Sequence, residues 1–246
     1  MKWCDHEIQA RMMRTKPIWH RQLVRIARRK SWRPYYIADI ACGATGLLPR
    51  LFRGKWRATC RPILGIGVDS NAEVILRAQK QAVDSRLPLF FMQADMRDLS
   101  CILPLSFDIV FCWETFYLLT DSQLNDAIRW IKRILHPDGI LICGATGPRM
   151  RPDPILDPYC RVAEKKIRPY RATWRTVDEY LHFLRQNGLD VEYQRIYVSE
   201  HRYQQDIASI PPQRMYFRNE PHMHEYYTKV GKSVWICRHA KRGSPQ

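Results

Sequence analysis

Acidic residues and glycines lie at the ends of short apolar runs in the middle of this 246-residue chain. Asp39 belongs to the first run and is followed by Gly43 and Gly46, while Asp69 ends the second run and Asp95 follows the third. Glycines at a strand-to-helix turn let the backbone approach a ligand. One carboxylate can accept hydrogen bonds from both hydroxyls of a vicinal diol. The pattern therefore predicts a ligand site where several strands end.

Three features distinguish this pattern from a dinucleotide-binding fold. Such a fold also has a glycine turn, with an acid about twenty positions later that Asp69 would match. Here the glycine spacing is not G-x-G-x-x-G, Asp39 precedes the turn, and Asp95 adds a third acid. Residues 36–49 also contain no Lys or Arg. A ligand without phosphate groups is therefore favoured.

The elements that must position these residues follow from hydrophobic periodicity. Short apolar runs alternate with stretches of helical spacing, which is typical of βα units in a parallel sheet buried on both faces. The predicted strands are 36–40, 63–68, 89–93, 107–111, 139–143, 191–198 and 232–237, and the predicted helices are about 47–54, 71–84, 122–135 and 176–187. The segment 136–139, His-Pro-Asp-Gly, is expected to end the third helix. We predict an α/β fold with a doubly wound, mostly parallel seven-stranded sheet.

Taken in order, the motifs at these strand ends resemble those of the class I (Rossmann-like) S-adenosylmethionine-dependent methyltransferases over nearly the whole chain. The matching segments are Asp39–Gly46, Gly67–Asp69, Ala94–Asp98, Phe107–Glu114 and Leu135–Gly139. The resemblance implies S-adenosylmethionine as the cofactor. In that family the glycine turn holds the methionine moiety, the acid after strand two binds the ribose hydroxyls, and the acid–apolar pair after strand three contacts adenine.

Carried over to this chain, the resemblance implies a cofactor site built from the ends of the first four strands. Its members are Asp39, Ala41, Gly43, Gly46, Asp69, Ser70, Asp95, Met96, Cys112 and Trp113. Ala41 stands where the family often has glycine, and its methyl group could crowd the turn slightly. A turn bare of cations suits a ligand that is itself a sulfonium cation.

The resemblance also suggests a domain organisation. Residues 1–34 are expected to form an N-terminal helical cap, and residues 35–246 the methyltransferase domain. Within that domain, 35–147 would be the cofactor half, and 148–246 would cover the acceptor and add the last strands. The N-terminal helices and the insertions after strands five and six are expected to form the cover.

Methyl transfer requires alignment and desolvation of the acceptor, because the sulfonium is already an excellent leaving group. A general base is needed only if the acceptor starts protonated. Glu114, after strand four, is the first candidate for acceptor binding or deprotonation, and Tyr117 is the second. Each also has a structural interpretation: an acid at the position of Glu114 is often structural in the family, and Tyr117 could be a core or lid aromatic.

Motifs for nucleic-acid methylation are missing after strand four. The segment after strand four contains neither Asn/Asp-Pro-Pro-Tyr/Phe nor the Pro-Cys or Thr-Cys nucleophile of pyrimidine C5 methylation. These absences weigh against nucleic acid, and the architecture instead resembles that of small-molecule methyltransferases, which implies transfer to an N or O atom of a small metabolite. No metal is predicted, because His222 and His224 have strand spacing for two ligands but no apparent third.

The net charge of +16 lies mostly in the two flanks of the chain, whereas the middle is nearly neutral. After strand five, basic residues interleave with Tyr159, Tyr170 and Trp174 in a composition suited to phosphate contact and base stacking. These basic residues are Arg149, Arg151, Arg161, Lys165, Lys166, Arg168, Arg171 and Arg175. An anionic metabolite, a structured RNA substrate, a non-catalytic fold that binds nucleic acid, and a solvated basic surface all remain open.

Composition indicates the compartment of the protein and the oxidation state of its cysteines. The chain is 46% hydrophobic and 26% charged, as in soluble globular proteins, and no apolar run is long enough for a membrane span. Its eight cysteines include no C-x-x-C pair, so reduced thiols are expected. We predict a cytoplasmic protein, and the sequence does not indicate an oligomeric state.

Overall fold

The computed structural model describes residues 35–43, 47–53, 62–85, 87–113, 115–145, 173, 175–196, 200–201, 204 and 232–240. The strands in this part of the chain are β1 Tyr35–Ile40, β2 Pro62–Asp69, β3 Leu89–Gln93, β4 Phe107–Trp113, β5 Leu135–Ala145, β6 Leu189–Ile196 and β7 Lys232–His239. The helices are α1 Leu47–Arg53, α2 Ala72–Ser85, α3 Asp121–Ile134 and α4 Val177–Gln186, with a short 3₁₀ helix at Phe116–Leu118.

The seven strands form one sheet in the order β3-β2-β1-β4-β5-β7-β6. Strands β1 to β5 pair in parallel, and β7 is antiparallel to both β5 and β6. The strand order reverses between β1 and β4, and ligands of open α/β sheets bind at such a switch point, outside the carboxyl ends of the strands. The predicted sheet is confirmed. The predicted cap (1–34) and nearly all of the predicted cover lie outside the described residues.

Helices cover both faces of the sheet, and the central strands alternate between the two cores. Ile37 and Phe111 belong to the core beneath α1 and α2. Ala38, Val110 and Cys112 belong to the core beneath α3 and α4. Because both faces are buried, these strands are mostly apolar, which explains why the sequence signal for them was strong.

The amino end of β5 differs from the prediction. The segment 136–139 was expected to separate helix from strand, but β5 already begins at Leu135, which pairs with Phe107. Pairing resumes at Ile140 opposite Ile109, so the four intervening residues form a bulge opposite a single residue of β4. The helix does end at this point, as the proline and glycine indicate, but the chain is already in the sheet.

Helix α3 begins with a capping box. The Thr120 side chain accepts a hydrogen bond from the backbone of Gln123, and the Gln123 side chain accepts one from the backbone of Thr120. This cap fixes the point where the chain leaves the 3₁₀ helix and enters α3. No helix of the described residues is long and apolar enough to cross a membrane.

Candidate cofactor site

The turn after β1 has a left-handed backbone at two positions. Ala41 has a φ of 58° and Gly43 a φ of 63°. The turn is tied to β2, because Cys42 N donates to the carbonyl of Val68 at 3.0 Å. A left-handed backbone costs an alanine roughly 1–2 kcal/mol that glycine does not incur. Ala41 therefore affects the turn through its left-handed backbone, and this backbone conformation explains why the family often has glycine at this position.

Asp69, the last residue of β2, connects this turn to the start of α2. Its Oδ2 accepts a hydrogen bond from Gly43 N, and its Oδ1 accepts one from Asn71 N, both at 3.0 Å. Asn71 in turn caps the helix by accepting from Glu73 N at 2.9 Å. An ionised carboxylate has about four acceptor positions, so both Asp69 oxygens keep the capacity to accept from a ligand. Ser70 is exposed beside it.

Asp39 and Asp69 make the turn electrostatically negative. Asp39 is buried in β1 and pairs in register with Gly67 of β2. Between these strand ends lies the Cys42 thiol, whose pKa is raised well above its ordinary value, first by burial and then by the charges of the two aspartates. Cys42 therefore stays protonated. The turn carries the negative charge of the two aspartates, which a cationic ligand would neutralise.

Asp95, after β3, is held by its neighbour Arg97. The Arg97 backbone N donates to Asp95 Oδ1 at 2.8 Å, and Arg97 Nε donates to both carboxylate oxygens at 2.9 Å. These hydrogen bonds lower the pKa of Asp95. Met96 is buried in the core beneath α3 and α4. Arg97 lies inside the quoted Ala94–Asp98 motif, but its role as the partner of Asp95 was not predicted.

Cys112 and Trp113 end β4 beside the turn after β1, since Ile40 pairs with Cys112. The Cys112 side chain is buried, and burial raises the pKa of its thiol well above the ordinary value. Trp113 packs over Gly144 of β5, where an added Cβ would lie 1.8 Å from the indole ring. The Cys112 side chain therefore belongs to the core, whereas half-buried Trp113 lies at the carboxyl end of β4.

The family described as "Methyltransferase domain" matches residues 37–139, which include β1 to β4, the turn after β1 and Asp69. Residues 37–139 of this chain are thus similar to a methyltransferase domain. The resemblance to the class I family is thereby confirmed. The match ends at Gly139, so it does not include the rest of β5 or the elements that follow it.

Two curated relatives each match less than half of the chain. "Putative methyltransferase YqeM" of Bacillus subtilis (strain 168) is 31% identical over 107 residues, which is 43% of this chain and 40% of the relative. "Putative methyltransferase GWCH70_2453" of Geobacillus sp. (strain WCH70) is 27% identical over 106 residues with the same coverage. The chain thus spans 40% of the length of these relatives.

Solved structures extend the fold likeness to nearly the full chain. One is titled "Complex between the Haloferax volcanii Trm112 methyltransferase activator and the putative methyltransferase"; it has a TM-score of 0.69 and 21% identity, covering 96% of this chain and 95% of that chain. An S-adenosylmethionine-dependent methyltransferase from Mesorhizobium loti has a TM-score of 0.61 and 17% identity, covering 89% and 96%. At these identities the likeness is one of fold.

Of the two predicted acceptor-side residues of the methyltransferase domain, the structure describes Tyr117. It lies on the 3₁₀ helix after β4 and is buried. Its carbonyl accepts a hydrogen bond from Thr173 N at 2.6 Å. Glu114, like Gly46 of the cofactor set, lies outside the described residues. The structure thus brings the ends of β1, β2 and β4 together and places Tyr117 just beyond β4.

The basic run after β5 requires one correction. The run was interpreted as a surface for phosphates or solvent, and of its eight Lys and Arg residues the structure describes Arg175. This side chain is only 2% exposed and donates to the buried carbonyls of Phe116 and Leu119. Arg175 therefore does not belong to a basic surface. Composition could not reveal this, because a buried arginine and an exposed one look alike in a basic segment.

The described residues also bear on metal binding. Among them, no three His, Cys, Asp or Glu side chains come together in an arrangement that could hold a metal ion. His222 and His224 lie outside the described residues.

Proposed function

We propose that this protein is an S-adenosylmethionine-dependent methyltransferase that transfers a methyl group to an N or O atom of a small metabolite. The observation that carries the proposal is the position of Asp69 in a matched methyltransferase domain. Its carboxylate connects the turn after β1 to the N-terminus of α2 at the switch-point edge of the sheet. A ribose placed there would meet a fixed carboxylate with remaining acceptor capacity.

The residues present fit this cofactor by charge as well as by position. Burial, and then the charges of Asp39 and Asp69, raise the pKa of the Cys42 thiol, and residues 36–49 contain no Lys or Arg. Such a site favours a sulfonium cation over a dinucleotide, whose phosphates it would repel. When bound, the cofactor supplies an electrophilic methyl group on sulfur.

In this proposal each segment of the site has a separate task. The turn at Ala41 and Gly43 would hold the methionine moiety, and Asp69 with Ser70 the ribose. Asp95 and Met96 would line the adenine position. Because Arg97 donates to both oxygens of Asp95, this carboxylate is held in one orientation, which would suit hydrogen bonding to a ligand amine.

The acceptor would bind beyond the end of β4. Trp113 offers an apolar surface there, which would exclude water and align an acceptor with the methyl group. Should the acceptor start protonated, we assign the proton-accepting role to Glu114 first and to Tyr117 second. A small metabolite, an anionic one included, is preferred over RNA, because the nucleic-acid methylation motifs are missing after β4.

The proposal is tested by isothermal titration calorimetry of the full chain with S-adenosylmethionine, S-adenosylhomocysteine, NAD and NADP. We expect binding of the first two ligands and none of the dinucleotides. A chain that binds a dinucleotide, or neither adenosyl ligand, contradicts the proposal. Transfer of a tritiated methyl group to amine and hydroxyl acceptors, assayed in separate pools, then assigns the acceptor atom.

A further inference from the structure

Arg175 is a buried cation that the proposed chemistry does not use. It lies just before α4 and is 2% exposed. Burying a charged side chain is costly unless hydrogen bonds and opposite charge compensate for the lost water. Its position therefore requires a dense set of acceptors, and the location of those acceptors indicates what the residue does.

Two of its four acceptors are carbonyls of the segment that follows β4, residues 115–120, which we call the post-β4 loop. Arg175 Nη2 donates to the carbonyl of Leu119 at 2.8 Å, and Nη1 donates to that of Phe116 at 3.2 Å. The adjacent Thr173 N donates to the carbonyl of Tyr117. Three carbonyls of one short loop are thus bound by Thr173 and Arg175.

Arg175 also donates to the carbonyl of Thr173 at 3.5 Å and forms an ion pair with Asp121. Arg175 Nε and Nη2 both donate to Asp121 Oδ1, at 2.9 and 2.6 Å. The Asp121 side chain is 69% exposed, so water screens its charge. The buried part of the guanidinium is therefore held by the loop carbonyls, and its flat face lies over the rings of Tyr180 and Phe183 of α4.

The geometry of the guanidinium suits this task better than that of an ammonium. Its donors lie in one plane and point in several directions at once, so one side chain can bind Phe116, Leu119 and Asp121 together. A lysine could place its single nitrogen near one or two of them. Aromatic rings against the face leave the edge donors available for the carbonyls.

We infer that Arg175 is a positioning residue that fixes the post-β4 loop, and Tyr117 within it, at the acceptor side of the cofactor site. The loop follows Trp113, at the end of the strand that pairs with β1, so it lies beside the turn assigned to the cofactor. The acceptor-side assignment rests on the proposed function. The anchoring itself rests on the hydrogen bonds of Arg175.

The experiment is hydrogen exchange of the full chain, measured by mass spectrometry with and without S-adenosylhomocysteine. The variants are Arg175→Met, Arg175→Lys and Asp121→Asn. The matched control is Arg129→Met, because Arg129 pairs with Asp126 on the exposed side of α3. Calorimetry with S-adenosylhomocysteine on the same proteins reports on the cofactor site.

We expect Arg175→Met to speed amide exchange in residues 115–120 at least tenfold, while exchange in β1 and β2 stays unchanged. Arg175→Lys should give a smaller increase, and Asp121→Asn little change, because the carbonyls hold the guanidinium. The affinity for S-adenosylhomocysteine should stay within about threefold of the parent. The ligand should slow exchange in 115–120 in the parent and in Arg129→Met, but not in Arg175→Met.

Two results would overturn the inference. One is unchanged exchange in residues 115–120; the other is an equal rise across α3, α4 and the sheet, which would mean that Arg175 only supports the fold. If Arg175→Met does not fold, Arg175→Lys decides by the same criteria. A parent chain that does not bind S-adenosylhomocysteine refutes the proposed function instead, and exchange without ligand still tests the anchoring.

Discussion

Replacing Asp69 by alanine removes two different contributions at once. The first is to the fold, since Gly43 N and Asn71 N each lose an acceptor at 3.0 Å. Both groups lie near the surface, where water can replace the carboxylate, so we expect a loss of about 1 kcal/mol in the free energy of unfolding. The second is to the ligand, because no acceptor remains for the ribose hydroxyls.

The ligand contribution is larger and can be measured separately. Hydrogen bonds to a charged group are worth about 1.5–3 kcal/mol. Their loss corresponds to roughly a 10- to 150-fold larger dissociation constant for S-adenosylhomocysteine. Asp69→Asn keeps one acceptor oxygen and the side-chain shape but loses the charge. We expect its affinity to fall between those of the parent and of Asp69→Ala.

The assay is calorimetry at a temperature well below the unfolding transition of each variant. Asp98→Ala is the matched control, because Asp98 also accepts a backbone hydrogen bond in a turn, from Ser100 N at 3.0 Å, but lies outside the assigned site. Its affinity should equal that of the parent. If folded Asp69→Ala binds S-adenosylhomocysteine as tightly as the parent, the ribose assignment is wrong.

Three further predictions concern the residues around the site. Ala41→Gly should raise the free energy of unfolding by up to about 1 kcal/mol in chemical denaturation, because glycine relieves the left-handed backbone; a lower value would contradict this interpretation. Gly144→Ala should displace the Trp113 indole and destabilise the protein by roughly 1–3 kcal/mol, with a shift in tryptophan emission; an unchanged spectrum and stability would show that the ring is not confined there. Arg97→Met should raise the pKa of Asp95 toward its ordinary value, measured by carboxyl NMR titration. Because the folded pKa is lowered, this pair stabilises the protein above the unfolded pKa of Asp95, about 3.9, and the stabilisation is lost as the pH falls through the folded value, so the two proteins should converge in stability in acid.

Most of the sheet could be predicted because its strands are buried on both faces. Runs such as Ile109–Trp113 are apolar without interruption, which is typical of strands buried on both faces. The start of β5 was predicted too late, at Gly139 instead of Leu135. Its first residue joins the sheet through the distant partner Phe107, and a proline and a glycine follow it, so local sequence signals indicate a turn.

The sequence predicted the glycines and aspartates at the strand ends. It did not predict which side chains pair with one another around the site. Glycine and aspartate at strand ends carry a local signal, and Asp69 lies where that signal indicates. The pairing of Asp95 with Arg97 and the burial of Arg175 depend on side-chain orientation, which neither spacing nor composition specifies. For the same reason Arg175 was grouped with a basic surface, although its guanidinium faces the post-β4 loop.

The central claim is that the ends of β1, β2 and β3 form a site for an adenosyl sulfonium. A crystal structure of the full chain grown with S-adenosylhomocysteine tests it most directly. We predict ribose hydroxyls within hydrogen-bonding distance of both Asp69 oxygens and the homocysteine moiety against the turn at Gly43. Ligand density elsewhere on the protein, or a site that stays empty at saturating ligand, would contradict the account.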